Sequence, residues 1–337
     1  MTHLIGDPLL QLVKSFFSEH LRVRGVSRNT VIAYRDALRL FFSFLVESTG
    51  REITRLGVDD VTVDQVLSFL DYLESKRRNG VVSRNSRLTA IRSFCRHLAR
   101  RNPEHAVEYQ RILSLPLKKE RTRLVTYLEP EEVQVLLRQP DRRTLSGVRD
   151  FALLIFLYNS GARVSEALAV CGSDLQLCRP RQVRLHGKGS KDRICPLWQD
   201  TTSALRQLLQ RAELPHDGPI FRNARSEPLT RDGVAYIISK HYRSAAREKT
   251  TLRRKRMTPH VMRHSCAVGL LQSGADLTVI RDYLGHASIA TTGRYVKTNL
   301  QMKRHALNAF WQHAGLAPAR LTPWKPTPDT LTFLASL

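Results

Sequence analysis

Acidic side chains are scarce in this chain of 337 residues: 30 Asp and Glu stand against 54 Lys and Arg, for a formal charge of +24. That surplus is larger than solubility requires and points to a polyanionic partner, with nucleic acid first and an anionic membrane surface second. Cysteine is also sparse. Cys95, Cys171, Cys178, Cys195 and Cys266 are odd in number and include no Cys-x-x-Cys pair, which argues against a disulfide framework and a zinc ribbon. They read as reduced thiols serving as small buried apolar residues. No apolar run approaches the roughly 20 residues needed to cross a bilayer, and the first residues lack a basic-then-apolar leader. The expectation is a soluble, unexported protein of the cytoplasm.

What is present is mostly helical pattern, in more chain than one core usually accommodates, so two domains are expected. "SRNTVIAYRDALRLFFSFL" opens with Ser and Thr capping candidates and spaces Val31, Tyr34, Leu38, Phe41 and Leu45 by threes and fours. A second start of the same kind, "SRNSRLTAIRSFCRHLARR", is expected at Ser83, with Leu88, Ile91, Cys95 and Leu98 on its apolar side and Arg92, Arg96 and Arg100 on another. "VTVDQVLSFLDYLESKRR" supplies a helix between them. Residues 102–126 carry two prolines and a charge cluster without a sustained apolar face, as expected of a linker. Beyond it, "YLEPEEVQVLLRQ" starts a helix with acidic residues in its first turn. "FALLIFLYNSGARVSEALAV" reads as a buried helix broken at Ser160-Gly161, with a second helix from about Arg163. "RQVRLHGKGSKDRICPL" alternates as a hairpin with Lys188 at its tip.

Metal-free cleavage of a phosphodiester requires cations for the non-bridging oxygens, a proton donor for the leaving oxygen and a nucleophile. Arg163, Lys188, His260, Arg263, His286 and Tyr295 could supply that set. Arginine suits the oxygens because its planar fork donates parallel hydrogen bonds and stays charged. The i, i+4 pair His260 and His264 could instead suggest zinc. Arg263 places a fixed positive charge among those ligands and no third ligand lies near in sequence, so no metal is expected and His264 reads as structural support.

Four blocks in this order, "SGARVSEAL", "HGKGSKDR", "HVMRHSCAVGLLQSGADLTVIRDYLGH" and "SIATTGRY", resemble the signature of the tyrosine recombinases, also called the phage integrase family. The resemblance covers the second domain almost end to end. "SRNTVIAYRDALRLFFSFL" is similar to the family's helical core-binding domain.

The resemblance implies a mainly α fold, with a helical, SAM-like core-binding domain followed by a mostly helical catalytic domain that holds a small β-sheet or hairpin. Residues 1–110 would be the core DNA-binding domain, 111–126 a linker, 127–299 the catalytic domain and 300–337 a C-terminal helix and tail. That tail would dock on a neighbouring protomer or cap its own domain. By the same resemblance Tyr295 is the nucleophile and Arg163 and Arg263 hold the phosphate. His260 would accept a proton and His286 would donate a hydrogen bond to the phosphate or orient its neighbours. Lys188 would protonate the leaving oxygen, with Lys191 its rival. Glu166, one helical turn past Arg163, would play a supporting part.

The implied partners are double-stranded DNA, three further copies of the chain in a tetramer on two sites, and accessory proteins. No cofactor is implied, because a phosphotyrosine conserves the energy of the broken bond. Arg28, Arg35, Arg84, Arg87, Arg92 and Arg96 on the two basic helices, with the run Arg253, Arg254, Lys255 and Arg256, are candidate contacts to DNA. Integration or excision of a mobile element is the favoured role. Chromosome dimer resolution, a type IB topoisomerase and a non-catalytic DNA-binding regulator are the alternatives.

Overall fold

A computed structural model describes residues 8–119, 125–187, 192–213 and 217–285. The chain divides into two compact units, Met1–Thr122 and Arg123–Leu337. Both are mostly helical.

The N-terminal unit starts with α1 (Pro8–Ser15), which runs on through a π-helical turn, Phe16–His20, into Leu21–Val23. Helix α2 (Arg28–Thr49) begins where the Ser27 hydroxyl accepts the Thr30 amide at 3.3 Å and stops at Gly50, whose φ of +67° breaks the helical run. Its stripe Ala37, Leu38, Phe41, Phe42 and Leu45 is buried. Helix α3 (Val63–Ser75) is capped by Thr62 in the same manner.

Helix α4 (Val81–Leu98) starts three residues before the expected position: Gly80 is its cap in place of Ser83, which lies within the first turn. The Arg84 amide already bonds the Gly80 carbonyl at 3.1 Å, so the extended Gly80 ends the preceding loop before the serine is reached. Leu88, Ile91, Cys95 and Leu98 are fully buried. Phe16 and Phe94 meet edge to face at 5.3 Å, as do Phe41 and Phe69 at 5.2 Å, geometry that adds about 1 kcal/mol per pair beyond area burial.

A fifth helix, α5 (Ala106–Ser114), occupies residues read from sequence as linker. It spans the expected boundary at 110. Only Tyr109 and Ile112 of this helix are fully buried, too few positions to produce a recognisable stripe, yet both belong to the N-terminal core. Glu108 adds a tertiary tie by accepting the Val63 amide at 2.5 Å.

In the C-terminal unit, α6 (Pro130–Arg138) precedes α7 (Leu145–Ser160), which is buried on nearly every side and is the axis of the core. A left-handed glycine, Gly161 at φ +55°, ends α7, and the short α8 (Val164–Ala169) follows with Arg163 at its N-cap. Three antiparallel strands come next: β1 (Leu175–Gln176), β2 (Gln182–His186) and β3 (Asp192–Pro196). Val183 pairs with Cys195 and His186 with Asp192. The alternation puts Val183, Leu185 and Cys195 in the core. The sequence carries no sign of β1, because two residues are too few for a period.

Helices α9 (Gln199–Arg211) and α10 (Arg231–Glu248) follow, then α11 (Pro259–Gln272) and α12 (Leu277–Leu284). Among the described residues no helix is long and apolar enough to cross a membrane. All five cysteines are free. Burial pushes Cys95 and Cys266 up to about 12 and Cys195 up to about 11, so these behave as apolar fillers. The buried reading fails for Cys178, which is exposed, and holds only in part for Cys171.

Candidate active site

Arg163 sits at the N-terminus of α8, where its own amide donates to Glu166 Oε2 at 2.8 Å and its guanidinium Nη1 donates to Glu166 Oε1 at 2.6 Å. The one-turn spacing of Glu166 therefore caps the helix and grips the arginine with one carboxylate. Glu166 is buried and also accepts from Arg193 Nη2 at 2.8 Å. Burial alone would raise its pKa, but Arg193, the Arg163 amide and the Arg163 guanidinium outweigh that and hold it below the usual carboxylate value.

Arg263 arrives from a different element. Pro259 in the first turn of α11 starts that helix, and one turn separates His260 from Arg263 and from His264. Arg263 is 4% exposed, with Nη1 on the Gly161 carbonyl and Nη2 on the Leu284 carbonyl, each at 2.6 Å. His260 is exposed, His264 half-buried, and their rings stack 6.3 Å apart.

Three guanidiniums converge on one short turn. Arg193 Nε donates to the Tyr283 carbonyl at 2.9 Å, Arg263 to the next carbonyl, Leu284, and Arg163 Nη2 to the one after, Gly285, at 3.1 Å. Gly285, at φ +63°, ends α12 and turns these carbonyls toward the arginines. Arg193 belongs to the quoted "HGKGSKDR" block but had been given no role. Its signal was its place in β3 opposite Leu185, which sequence cannot relate to α12.

Gly161 matters for its space as well as its dihedral. A Cβ there would stand 2.5 Å from Leu284 Cδ2 and 3.1 Å from Cys266 Sγ. Of the five N–H donors on Arg163, one reaches Glu166 and one Gly285. The side chain is 37% exposed and keeps donors for an incoming oxyanion. The structure thus brings Arg163, Arg263 and His260 onto neighbouring elements of one unit. Lys188, Lys191, His286 and Tyr295 lie outside the described residues. Among the described residues no group of three or more His, Cys, Asp or Glu is placed to hold a metal ion.

The candidate DNA contacts divide into two kinds. Arg28, Arg96, Arg253, Arg254 and Arg256 are exposed, as is Arg35, which pairs with Asp36 at 2.8 Å. Arg87 and Arg92 are half-buried, and burial followed by a like-charged neighbour, Arg77 and Arg96 respectively, lowers the pKa of each. Two assignments need correction. Arg84 is buried and faces Glu74 at 3.7 Å, because it stands one helical turn before Leu88 and so falls on the buried stripe of α4. Lys255 is drawn inward to the buried Glu132 and donates to the Tyr127 carbonyl at 2.9 Å, so it ties the 3-10 turn Thr250–Arg254 to α6. The basic run therefore offers three exposed arginines.

Residues 126–302 match the Phage integrase family, and residues 13–102 match the N-terminal SAM-like domain of phage integrases. The chain belongs to the phage integrase family of tyrosine recombinases. This family member is 37% identical over 330 residues to y4rC of Sinorhizobium fredii, whose name describes an integrase/recombinase, with 98% of each chain covered. It is 33% identical over 300 residues to tyrosine recombinase XerC of Pelobacter propionicus, covering 87% of this chain and 93% of that one. Its fold is that of the XerH site-specific recombinase, solved in a post-cleavage complex with a palindromic difH substrate. The TM-score there is 0.68 at 21% identity, covering 89% of this chain and 84% of the other.

Proposed function

We propose that this tyrosine recombinase cuts and rejoins double-stranded DNA at specific sites through a 3'-phosphotyrosine on Tyr295, in the integration and excision of a mobile element. The observation that carries the reading is the convergence of Arg163, Arg193 and Arg263 on the carbonyls of residues 283 to 285. Positive charge held rigidly in a partly dry site stabilises a pentavalent phosphate more than the ground state, because that charge needs no reorganisation as negative charge builds. Arg163 and Arg263 hold the non-bridging oxygens in this reading.

Tyr295 Oη forms the bond to phosphorus while the bond to the 5' oxygen breaks. The phenol proton passes to His260, and the leaving 5' oxygen takes a proton from Lys188 or Lys191. An unperturbed tyrosine titrates near 10, so the acceptor and the surrounding cations are what make attack feasible at neutral pH. His286, which follows the anchored Gly285 directly in sequence, donates to the phosphate. Religation runs the same steps backward with another strand's 5' hydroxyl, and the bond inventory balances without a cofactor.

The mobile-element role draws on the integrase/recombinase name of y4rC, which aligns over nearly the whole of both chains. Residues 1–110 are assigned to gripping DNA and 127–299 to catalysis, with residues 300–337 docking on a neighbour in a tetramer. The test is a nicked substrate carrying the recombination site. Tyr295→Phe should bind it and form no covalent complex; covalent protein persisting in that variant overturns the assignment. Supercoil relaxation without recombinant product would move the reading to a type IB topoisomerase.

A further inference from the structure

The last rung of the β2–β3 ladder carries a histidine held from two sides. His186 ends β2 and is the Cα partner of Asp192, the first residue of β3. Its Nδ1 lies 3.1 Å from Asp192 Oδ1, and its Nε2 lies 3.0 Å from Asp174 Oδ1. Asp174 is itself fixed, because its Oδ2 accepts the Cys171 amide at 2.9 Å and closes the 3-10 turn Gly172–Asp174 that follows α8. On the other face of β3, Arg193 donates to Glu166 and to the Tyr283 carbonyl. The imidazole therefore joins the end of β2 to the start of β3, and ties both to the turn that leads back through α8 to Arg163.

A neutral imidazole has one N–H, so it can donate to one of these carboxylates only while turning a lone pair toward the other. Both contacts are attractive in the imidazolium, which donates from both nitrogens. The surrounding charges favour that form. The 3-10 turn contributes Asp174, β3 contributes Asp192, and β1 contributes no charge. Arg193 alternates to the opposite face of the sheet, and Arg184, on the same face of β2 as His186, is exposed. Hydrogen bonding to Asp174 and then to Asp192 raises the His186 pKa from 6.5, against a lesser opposing effect of burial. Because the folded value is raised, the double contact is complete below 6.5 and is lost as pH rises through the folded value.

We propose that His186 is a positioning residue for the proton donor of strand cleavage: its imidazolium fixes the two strand ends that flank Lys188 and Lys191 in the chain. Lys188 stands two residues after His186, and Lys191 directly precedes Asp192. This role rests on the recombinase reading, in which one of these lysines gives its proton to the leaving 5' oxygen. A proton donor must lie within hydrogen-bond reach of the atom it serves. Loosening the strand ends therefore slows proton delivery while leaving untouched the arginines that hold the phosphate. His186 is 47% exposed, so the clamp is screened by water and its effect on rate is modest, about threefold to fivefold.

The experiment follows single-turnover cleavage by the full chain across the titration of His186, on a duplex carrying the recombination site and on the same duplex with sulfur in place of the bridging 5' oxygen. A thiolate, the conjugate base of an acid of pKa about 8.5, leaves without a proton, so the sulfur substrate bypasses the lysine. His186→Gln should cleave the oxygen substrate about threefold to fivefold more slowly than wild type at low pH, and the sulfur substrate at the wild-type rate. The wild-type advantage should fade as pH rises through the raised His186 value. His186→Arg, charged at every pH and able to donate to both carboxylates, should keep the rate and remove that fading. Equal slowing of His186→Gln on the two substrates, or a rate ratio that is flat with pH, overturns the positioning role. Histidine NMR of the full chain tests the clamp apart from cleavage: His186 should titrate above 6.5 and move back toward it in Asp174→Asn. An ordinary value in the wild type also overturns the role. A wild-type chain that captures neither substrate overturns the recombinase reading, and the positioning role with it, even where the clamp titrates as expected.

Discussion

Glu166→Gln tests how the arginines are held. The native carboxylate receives three donors, the Arg163 amide at 2.8 Å, Arg163 Nη1 at 2.6 Å and Arg193 Nη2 at 2.8 Å. The glutamine has the same shape but only one acceptor oxygen, and its amide nitrogen must face at least one of those N–H groups. Removing one partner of a buried ion pair costs about 3–5 kcal/mol. Arg163 can recover some hydration at 37% exposure, whereas Arg193, with its side chain 11% exposed, recovers little. The expected loss is therefore about 3 kcal/mol, at the low end of that range.

Urea unfolding followed by tryptophan fluorescence reads this loss cleanly, because Trp198, Trp311 and Trp324 are the chain's three tryptophans and all lie in the C-terminal unit. The pH dependence supplies a second readout. Glu166 is depressed in the fold, so between its folded value and the ordinary 4.5 the unfolded chain binds more protons. Its contribution is complete above about 4.5 and is lost as pH falls through the lower folded value. Glu166→Gln should flatten that acid limb. A loss below about 1 kcal/mol with an unchanged acid limb would refute the argument that a single buried carboxylate organises both arginines.

Gly161→Ala should destabilise by about 2–4 kcal/mol, combining left-handed strain with overpacking against Leu284 and Cys266. Gly50→Ala, at φ +67° with nothing within 4 Å, should cost only the strain, about 1 kcal/mol; equal losses by circular dichroism would contradict the steric part. Replacing Arg253, Arg254 and Arg256 with Ala should weaken DNA binding evenly across sequences and lower the salt slope by about 1 for each phosphate contact removed. Lys255→Ala should instead lower the thermal midpoint, since it strands the buried Glu132. Arg84→Ala should likewise destabilise the N-terminal unit, and a loss of DNA affinity with unchanged unfolding would restore Arg84 as a surface contact.

Much of this architecture could be read from the chain because it is written in local spacing. Ser27, the stripe from Ala37 to Leu45 and Gly50 define α2 from start to stop. The Ser160-Gly161 break and the Val183 and Leu185 alternation are equally local, whereas Ile194, where the apolar pattern resumes in sequence, falls on the exposed face opposite Arg184. Helix α5 was less legible because two buried positions make no period, and the start of α4 because an extended glycine took the place of the serine cap. Arg84 and Lys255 look like any other basic residue in sequence, and only the location of Glu74 and Glu132 decides that they turn inward.

The sequence by itself, through its resemblance to the tyrosine recombinases, pointed to the kind of chemistry: an arginine after Ser-Gly-Ala, a His-x-x-Arg pair and a tyrosine nine residues beyond Leu-Gly-His, set in a strongly basic chain. Side-chain identity and short spacing carry that information, since they govern charge, donor geometry and helix phase. The tertiary structure alone decided that Arg163, Arg193 and Arg263, from α8, β3 and α11, share the carbonyls of residues 283 to 285, with Glu166 binding two of the three. Those contacts span up to 122 residues of chain. They exist because two left-handed glycines aim backbone oxygens at buried cations, an arrangement set by packing and invisible to any local pattern.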